Sequence, residues 1–228
     1  MGLSVLDGVA LAFFSAAWVA YYLMVEKTPT GRRSLNMVMN AHRHGWMQQM
    51  LARDNRIMDA NINSSLQNGT AFFASTSLIA VGGVLTLLRS TDDVMNFFAD
   101  MPFGLATTRA AWEIKVLGLA VIFVYAFYKF AWSYRLFNYA AILLGAVPPV
   151  GYSDQHETEA AVERAGLMNV VAGLHFNRGQ RAFFFALAYL GWFISAYVFM
   201  ASTAACLFVM WRRQFASDAL AALENSHE

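Results

Sequence analysis

A chain of 228 residues that is 58% hydrophobic, 15% aromatic and only 14% charged, with a mean hydropathy of +0.42, is too apolar for an ordinary soluble domain, where about a quarter of residues carry charge. A net charge of +1 gives no basis for nucleic-acid binding, and no nucleic-acid partner is expected. The single cysteine, Cys206, excludes an internal disulfide framework.

The first apolar stretch, 3–24, has Asp7 as its sole charge and lacks the basic leader and small-residue cleavage pattern of a signal peptide; it predicts a retained transmembrane helix. Three more stretches, 70–88, 114–130 and 182–211, approach or exceed the ~20 apolar residues that cross a ~30 Å hydrocarbon core. A lone strand would leave its amides unpaired in lipid, and the alternating pattern of barrel strands is absent. The expected fold is therefore an all-α integral membrane protein, with four transmembrane helices plus cytoplasmic amphipathic helices in one membrane domain.

The connections differ in charge. Lys27, Arg32, Arg33, Arg43, Arg53 and Arg56 lie between the first two spans, whereas the next connection sets Arg89 and Arg109 against Asp92, Asp93, Asp100 and Glu113. The positive-inside rule places connection 25–69 in the cytoplasm, and with it connection 131–181, which carries Arg135, Arg164, Arg178 and Arg181. Four spans then leave both termini outside, which for a bacterial inner-membrane protein means the periplasm. Arg212 and Arg213, after the last span, argue the other way. Trp112 and Trp211 would mark the outer interface and Trp132 the inner one.

The stretch 46–69 predicts a cytoplasmic helix feeding the second span, with Trp46, Met47, Met50, Ile57, Met58, Ile62 and Leu66 as its apolar stripe. Arg53, Asp54, Arg56, Asp59, Asn61 and Asn68 crowd polar groups where the chain enters lipid, so protein, water or a ligand has to satisfy them. If helix continues through Gly69, Asn61, Asn68, Ser75 and Gly82 recur every seven residues beside a column of Gly69, Thr76 and Gly83. Phe72 and Ile79 share that face; Phe73, Val81, Val84 and Leu88 form the opposite, apolar side. Two explanations stand. Gly69, Gly82 and Gly83 pack against another helix, or Asn61, Asn68, Ser75 and Thr76 line a hydrated path.

From 116 to 147 the chain is helix-compatible for about 48 Å at 1.5 Å per residue and should leave the bilayer near Lys129. The apolar remainder, too short to cross, stops at Pro148-Pro149; it could lie in the interface, enter a groove or pack on the first loop. In KFAWSYRLFNY, Arg135 and Asn138 share a helix face able to reach Asp54 or Asp59, and an Arg135–Asp59 pair is expected. Asp154, Glu157, Glu159 and Glu163 read as a solvated helix face. Arg178 and Arg181, just before the last apolar stretch, serve either as topology signals or as headgroup-level ligands for a phosphate or anionic lipid. Membrane lipids are thus expected partners. Gly191 inside 182–211 permits a tilt or a local break.

Chemical motifs are scarce. There is no phosphate-binding glycine loop, nucleophile elbow or zinc-type cysteine cluster, so no catalytic residues, metal site or cofactor are expected beyond a bound lipid. His42 and His44 point apart on a helix, and His156-Glu157 lacks a second histidine. His175, near Arg178, reads first as a structural histidine.

The segments MLARDNRIMDANINSSLQNGTAFFASTSLIAVGGVL, SYRLFNYAAIL and NRGQRAFFFALAYLGWF resemble the DUF599 family of membrane proteins found in bacteria and plants. The likeness runs through 64–76, through RLFN at 135–138 and through GQRAF at 179–183, and spans most of 32–203. Gln67-Asn68 stands where that family often has arginine before the asparagine. The resemblance implies a four-span architecture and, because the family is named for unknown function, no reaction.

Three functional classes follow. A transport or channel-like oligomer would run its path along Asn61, Asn68, Ser75 and Thr76, with Arg53, Arg56, Arg135 and Arg178 at the inner mouth. An accessory or assembly subunit of a larger membrane complex would dock through its glycine-rich and aromatic faces. A lipid-headgroup enzyme with Asp54 or Asp59 as base lacks a nucleophile or metal set.

Overall fold

The computed structural model describes residues 3–92 and 108–224. Four of their helices begin where a short polar side chain accepts from an exposed amide of the first turn. Ser4 and Asp7 form a reciprocal capping box at the start of α1 (Val5–Lys27). Thr108, Asp154 and Ser195 do the same singly for α4 (Arg109–Gly145), α5 (Gln155–Leu190) and α6 (Ala196–Phe215). Between α1 and α4 stand α2 (Leu35–Leu51) and α3 (Ile57–Arg89), and α7 (Asp218–Glu224) follows α6. No strand occurs among the described residues. Helices α1, α3 and α4 are each long and apolar enough to cross a membrane.

The expected fourth span, 182–211, is not one helix. Helix α5 ends at Leu190, Gly191–Phe193 forms a 3-10 turn, and α6 starts at Ala196. Gly191 makes the turn possible, because a Cβ there would stand 2.5 Å from Ser202 Oγ. Helix α6 then runs back along α5: Ser202 donates to the Ala188 carbonyl (2.6 Å) and the Cys206 thiol to that of Phe184 (3.3 Å).

Side-chain pairs give the direction of each helix. At one end Asp7 Oδ1 accepts from Trp192 Nε1 (2.6 Å), while Lys115 Nζ donates to the Trp192 carbonyl (2.9 Å) and lies 3.7 Å from Asp7. At the other end Glu26 meets Arg178 and Arg181. Helix α6 lies parallel to α1, with Phe199 against Phe14 and the Met210 carbonyl accepting from Tyr21. The described chain therefore starts at the Asp7 end and finishes at the Glu26 end, which corrects the expectation of both termini on one side. Reading 182–211 as one helix has a simple cause: a reversal inside an apolar run leaves no break in hydropathy.

Helices α4 and α5, of 37 and 36 residues, form an antiparallel hairpin about 55 Å long, far more than the ~30 Å hydrocarbon core needs. One storey of this hairpin packs with α1, α6 and the distal part of α3 around Phe14, Phe130, Phe185, Trp192 and Phe199. The second storey extends past Glu26. There Met47 and Met50 of α2 pack on Leu144, Val147 and Val162. The apolar segment after Lys129 thus continues α4 unbroken and packs on the first loop, one of its three expected arrangements.

The helix expected across 46–69 is interrupted. Helix α2 ends at Leu51 and α3 starts at Ile57, with Asn55 Oδ1 accepting from the Ile57 amide at 2.9 Å. The expected stripe is split accordingly. Met47 and Met50 are buried, whereas Ile57, Met58 and Ile62 are exposed.

Candidate functional site at the basic end

The bend between α2 and α3 presents Arg53, Arg56 and Asp59 to the second storey. Asp59 is fully buried, and its Oδ1 accepts from Trp46 Nε1 (2.7 Å) and Arg53 Nη1 (2.6 Å). Arg56 donates from both terminal nitrogens to the carbonyls of Val147 and Pro148, each at 2.6 Å. These carbonyls belong to the non-helical segment just past α4, where no helical amide is available to them. Arg56 thereby fastens the end of α4 to the start of α3. Asp54 is exposed and, with Arg53 and Arg56, lines an open cavity of about 310 Å³ beside Val147 and Pro149.

The expected Arg135–Asp59 pair does not form. Arg53 and Trp46 occupy Asp59, while Arg135 lies exposed and donates to its own-helix neighbour Tyr139 (2.6 Å). Asn138 accepts from Gln67 Nε2 at 2.8 Å, and Asn63 donates to the Phe137 carbonyl at 3.2 Å. These two bonds tie α3 to α4. Helix α3 does continue through Gly69, and its buried face carries Asp59, Asn63, Thr70, Ser77 and Val84. The last four recur every seven residues, a period readable in the sequence, though the expected columns are the neighbouring ones.

Those columns face away from the fold. Asn61, Asn68 and Ser75 are exposed, and Thr76, half-buried, returns its hydroxyl to the Phe72 carbonyl. A Cβ added at Gly69, Gly82 or Gly83 would meet nothing within 4 Å. Phe72 and Ile79 on the same face are 65% and 75% exposed. None of the three glycines packs against another helix of the described chain.

Arg178 and Arg181 project from α5 onto the last turn of α1. Arg178 chelates the Glu26 carboxylate through Nε (3.1 and 3.2 Å) and Nη2 (2.5 Å), and Arg181 Nη2 bonds the same group. Arg181 Nη1 is buried without a partner. Both arginines line a cavity of about 730 Å³ between α5 and the α1–α2 connection, together with Lys27, Arg32, Asn40, His44 and Asn177. The chain closes one wall through Gly31, where a Cβ would stand 2.1 Å from the Val25 carbonyl. One turn before Arg178, burial, then Lys129 and Arg178, hold the His175 imidazole below its ordinary pKa.

Sequence reasoning missed Glu26, the acceptor that organises this corner. Its signal is its isolation: it is the sole carboxylate between Asp7 and Asp54. Also missed is Arg43, whose Nη1 bonds both the backbone and side-chain oxygens of Asn169 at 2.8 Å, and whose pKa burial draws below the usual arginine range. Only tertiary structure brings that pair together. Among the described residues no group of histidine, cysteine and carboxylate side chains is placed to hold a metal.

The family model described as "Protein of unknown function, DUF599" matches residues 9–219. No curated protein and no solved structure matches the chain.

Proposed function

The chain belongs to the DUF599 family, and from that premise we propose a transport or channel-type membrane protein that works as an oligomer, its copies meeting across the outward face of α3. One observation carries this reading. Asn61, Asn68 and Ser75 are exposed beside open space at Gly69, Gly82 and Gly83, on a helix apolar enough to cross a membrane. Polar groups in or entering hydrocarbon need a partner, and small residues let a second helix backbone come close. The opposite face of α3 is already spent on α4 through Asn63 and Gln67. Copies arranged about an axis would turn Asn61, Asn68, Ser75 and Thr76 toward one another, with Arg53 and Arg56 near the inner mouth.

The orientation that goes with this reading has five crossing segments: α1, distal α3, proximal α4, distal α5 and α6. The N-terminal end lies outside and the C-terminal end in the cytoplasm. Arg212 and Arg213 then join the other inner cations, as the positive-inside rule asks. A second reading rests on the same exposed face: an accessory subunit that docks there onto a different membrane protein.

Cysteine crosslinking in native membranes separates the two. In a Cys206→Ser background, Ser75→Cys and Gly82→Cys should give a product of twice the chain's mass on oxidation, and Leu187→Cys, exposed on α5, should not. Reconstituted protein should pass solute, and Asn68→Leu should cut the flux several-fold. Crosslinking to a different chain without flux selects the accessory reading; neither crosslink nor flux removes both.

A further inference from the structure

The corner built by Glu26, Arg178 and Arg181 has more cation than its internal pairing uses. Two guanidiniums share one carboxylate, so a positive charge is left over in a place where water is scarce. Arg181 is 12% exposed at its side chain, and its Nη1 is buried without a partner. A buried charged donor left unpaired is costly, and an incoming anion relieves that cost. The same arginine also lines a second, water-sized cavity of about 30 Å³ with Tyr21, Arg213 and Gln214. Around the larger cavity Lys27, Arg32, Arg178 and Arg181 face Glu26 as the one carboxylate.

The cavity is also amphipathic. Asn40 and Asn177 supply neutral hydrogen-bonding groups near the arginines, while Val25, Met37 and Leu174 supply apolar wall. Its volume of about 730 Å³ falls in the ~300–1,000 Å³ range of small-molecule sites. Glu26 stands at the end of α1, one of the helices apolar enough to cross a membrane, which sets the cavity at headgroup depth. Guanidinium groups match phosphate oxygens in geometry as well as charge.

We infer that this cavity binds the phosphate group of an anionic amphiphile, with Arg178 and Arg181 as its anion ligands and Val25, Met37 and Leu174 against its apolar part. The site is complete within one chain and does not depend on how copies meet at α3. Glu26 holds both guanidiniums in place while the site is empty and competes with the ligand for them.

Binding to the full chain in detergent, followed by native mass spectrometry and thermal stabilisation, tests this with three probes: phosphatidylglycerol, phosphatidylcholine and glycerol 3-phosphate. Phosphatidylglycerol should bind at least tenfold tighter than phosphatidylcholine. Arg181→Gln should erase that preference, and Arg135→Gln, an exposed cation outside the cavity, should leave it intact. Glu26→Gln keeps both guanidiniums and removes their competitor, so it should tighten phosphatidylglycerol binding; a purely structural ion pair predicts weaker or unchanged binding. Stabilisation by glycerol 3-phosphate equal to that by the lipid identifies a soluble phosphate compound as the source, and lipid-only stabilisation identifies the membrane. Equal binding of the two lipids with no effect of glycerol 3-phosphate overturns the site. Should Arg181→Gln fail to fold, the Glu26→Gln result decides: anything but tighter binding overturns it.

Discussion

Buried charged groups among the described residues find partners for some of their polar atoms and leave others unpaired. Asp59 Oδ1 takes donors from Trp46 of α2 and from Arg53 in the α2–α3 bend, and Arg43 spends its Nη1 on Asn169. His175 has its Nδ1 buried without a partner. Burial, then Lys129 and Arg178, favour its neutral form and keep its pKa under the ordinary 6.5. The unfolded chain takes up that proton near 6.5 while the folded chain resists it, so stability is full above 6.5 and falls as the pH drops toward the folded value. The thermal midpoint in detergent should therefore decline between pH 7.5 and 5.5, and His175→Gln should flatten the decline. An unchanged slope in the variant would assign the effect to other groups.

At the scale of elements, glycine has opposite meanings on α3 and α5. A Cβ at Gly179 would lie 2.7 Å from the ring of Phe130, which is itself fully buried. Gly179→Ala should accordingly cost about 1–3 kcal/mol through overpacking, read as a lower midpoint in chemical or thermal unfolding of the detergent-solubilised chain. Gly69 has open space around it. Gly69→Ala should leave the fold unharmed, or stabilise it by up to ~1 kcal/mol because alanine is the better helix former. Any damage from Gly69→Ala should appear in association between copies. Comparable destabilisation at both sites would mean that the outward face of α3 is covered within the monomer.

For the whole molecule the decisive feature is the reversal at Gly191–Phe193. It puts the start of the described chain at the Asp7 end of the bundle and its finish at the Glu26 end, and it doubles the helices contributed by the last apolar run. In a membrane this arrangement predicts opposite accessibility for the two ends. With Cys206 replaced by serine, Leu3→Cys should react with a membrane-impermeant thiol reagent added to intact cells. Asp218→Cys and Gln155→Cys, both exposed at the basic end, should react only after permeabilisation. Reaction of Leu3→Cys and Asp218→Cys from the same side would restore an even number of crossings.

Composition by itself determined the helical, membrane-type class, because long apolar runs leave helix as the form that satisfies its own backbone in lipid. It also located the basic layer, since charge along a chain is visible without coordinates, and Arg178 and Arg181 were singled out on that basis. Tertiary structure alone decided the rest. Hydropathy cannot register a turn made inside an apolar run, so the stretch 182–211 read as one helix until Gly191 met Ser202. A seven-residue period in α3 specifies a stripe without saying which stripe faces inward, and the core took Asn63, Thr70, Ser77 and Val84 while leaving Asn61, Asn68 and Ser75 outside. Pairing across sequence is equally hidden. Glu26 and Arg178 are 152 residues apart, and only the closeness of α1 and α5 turns two topology arginines into the wall of a cavity.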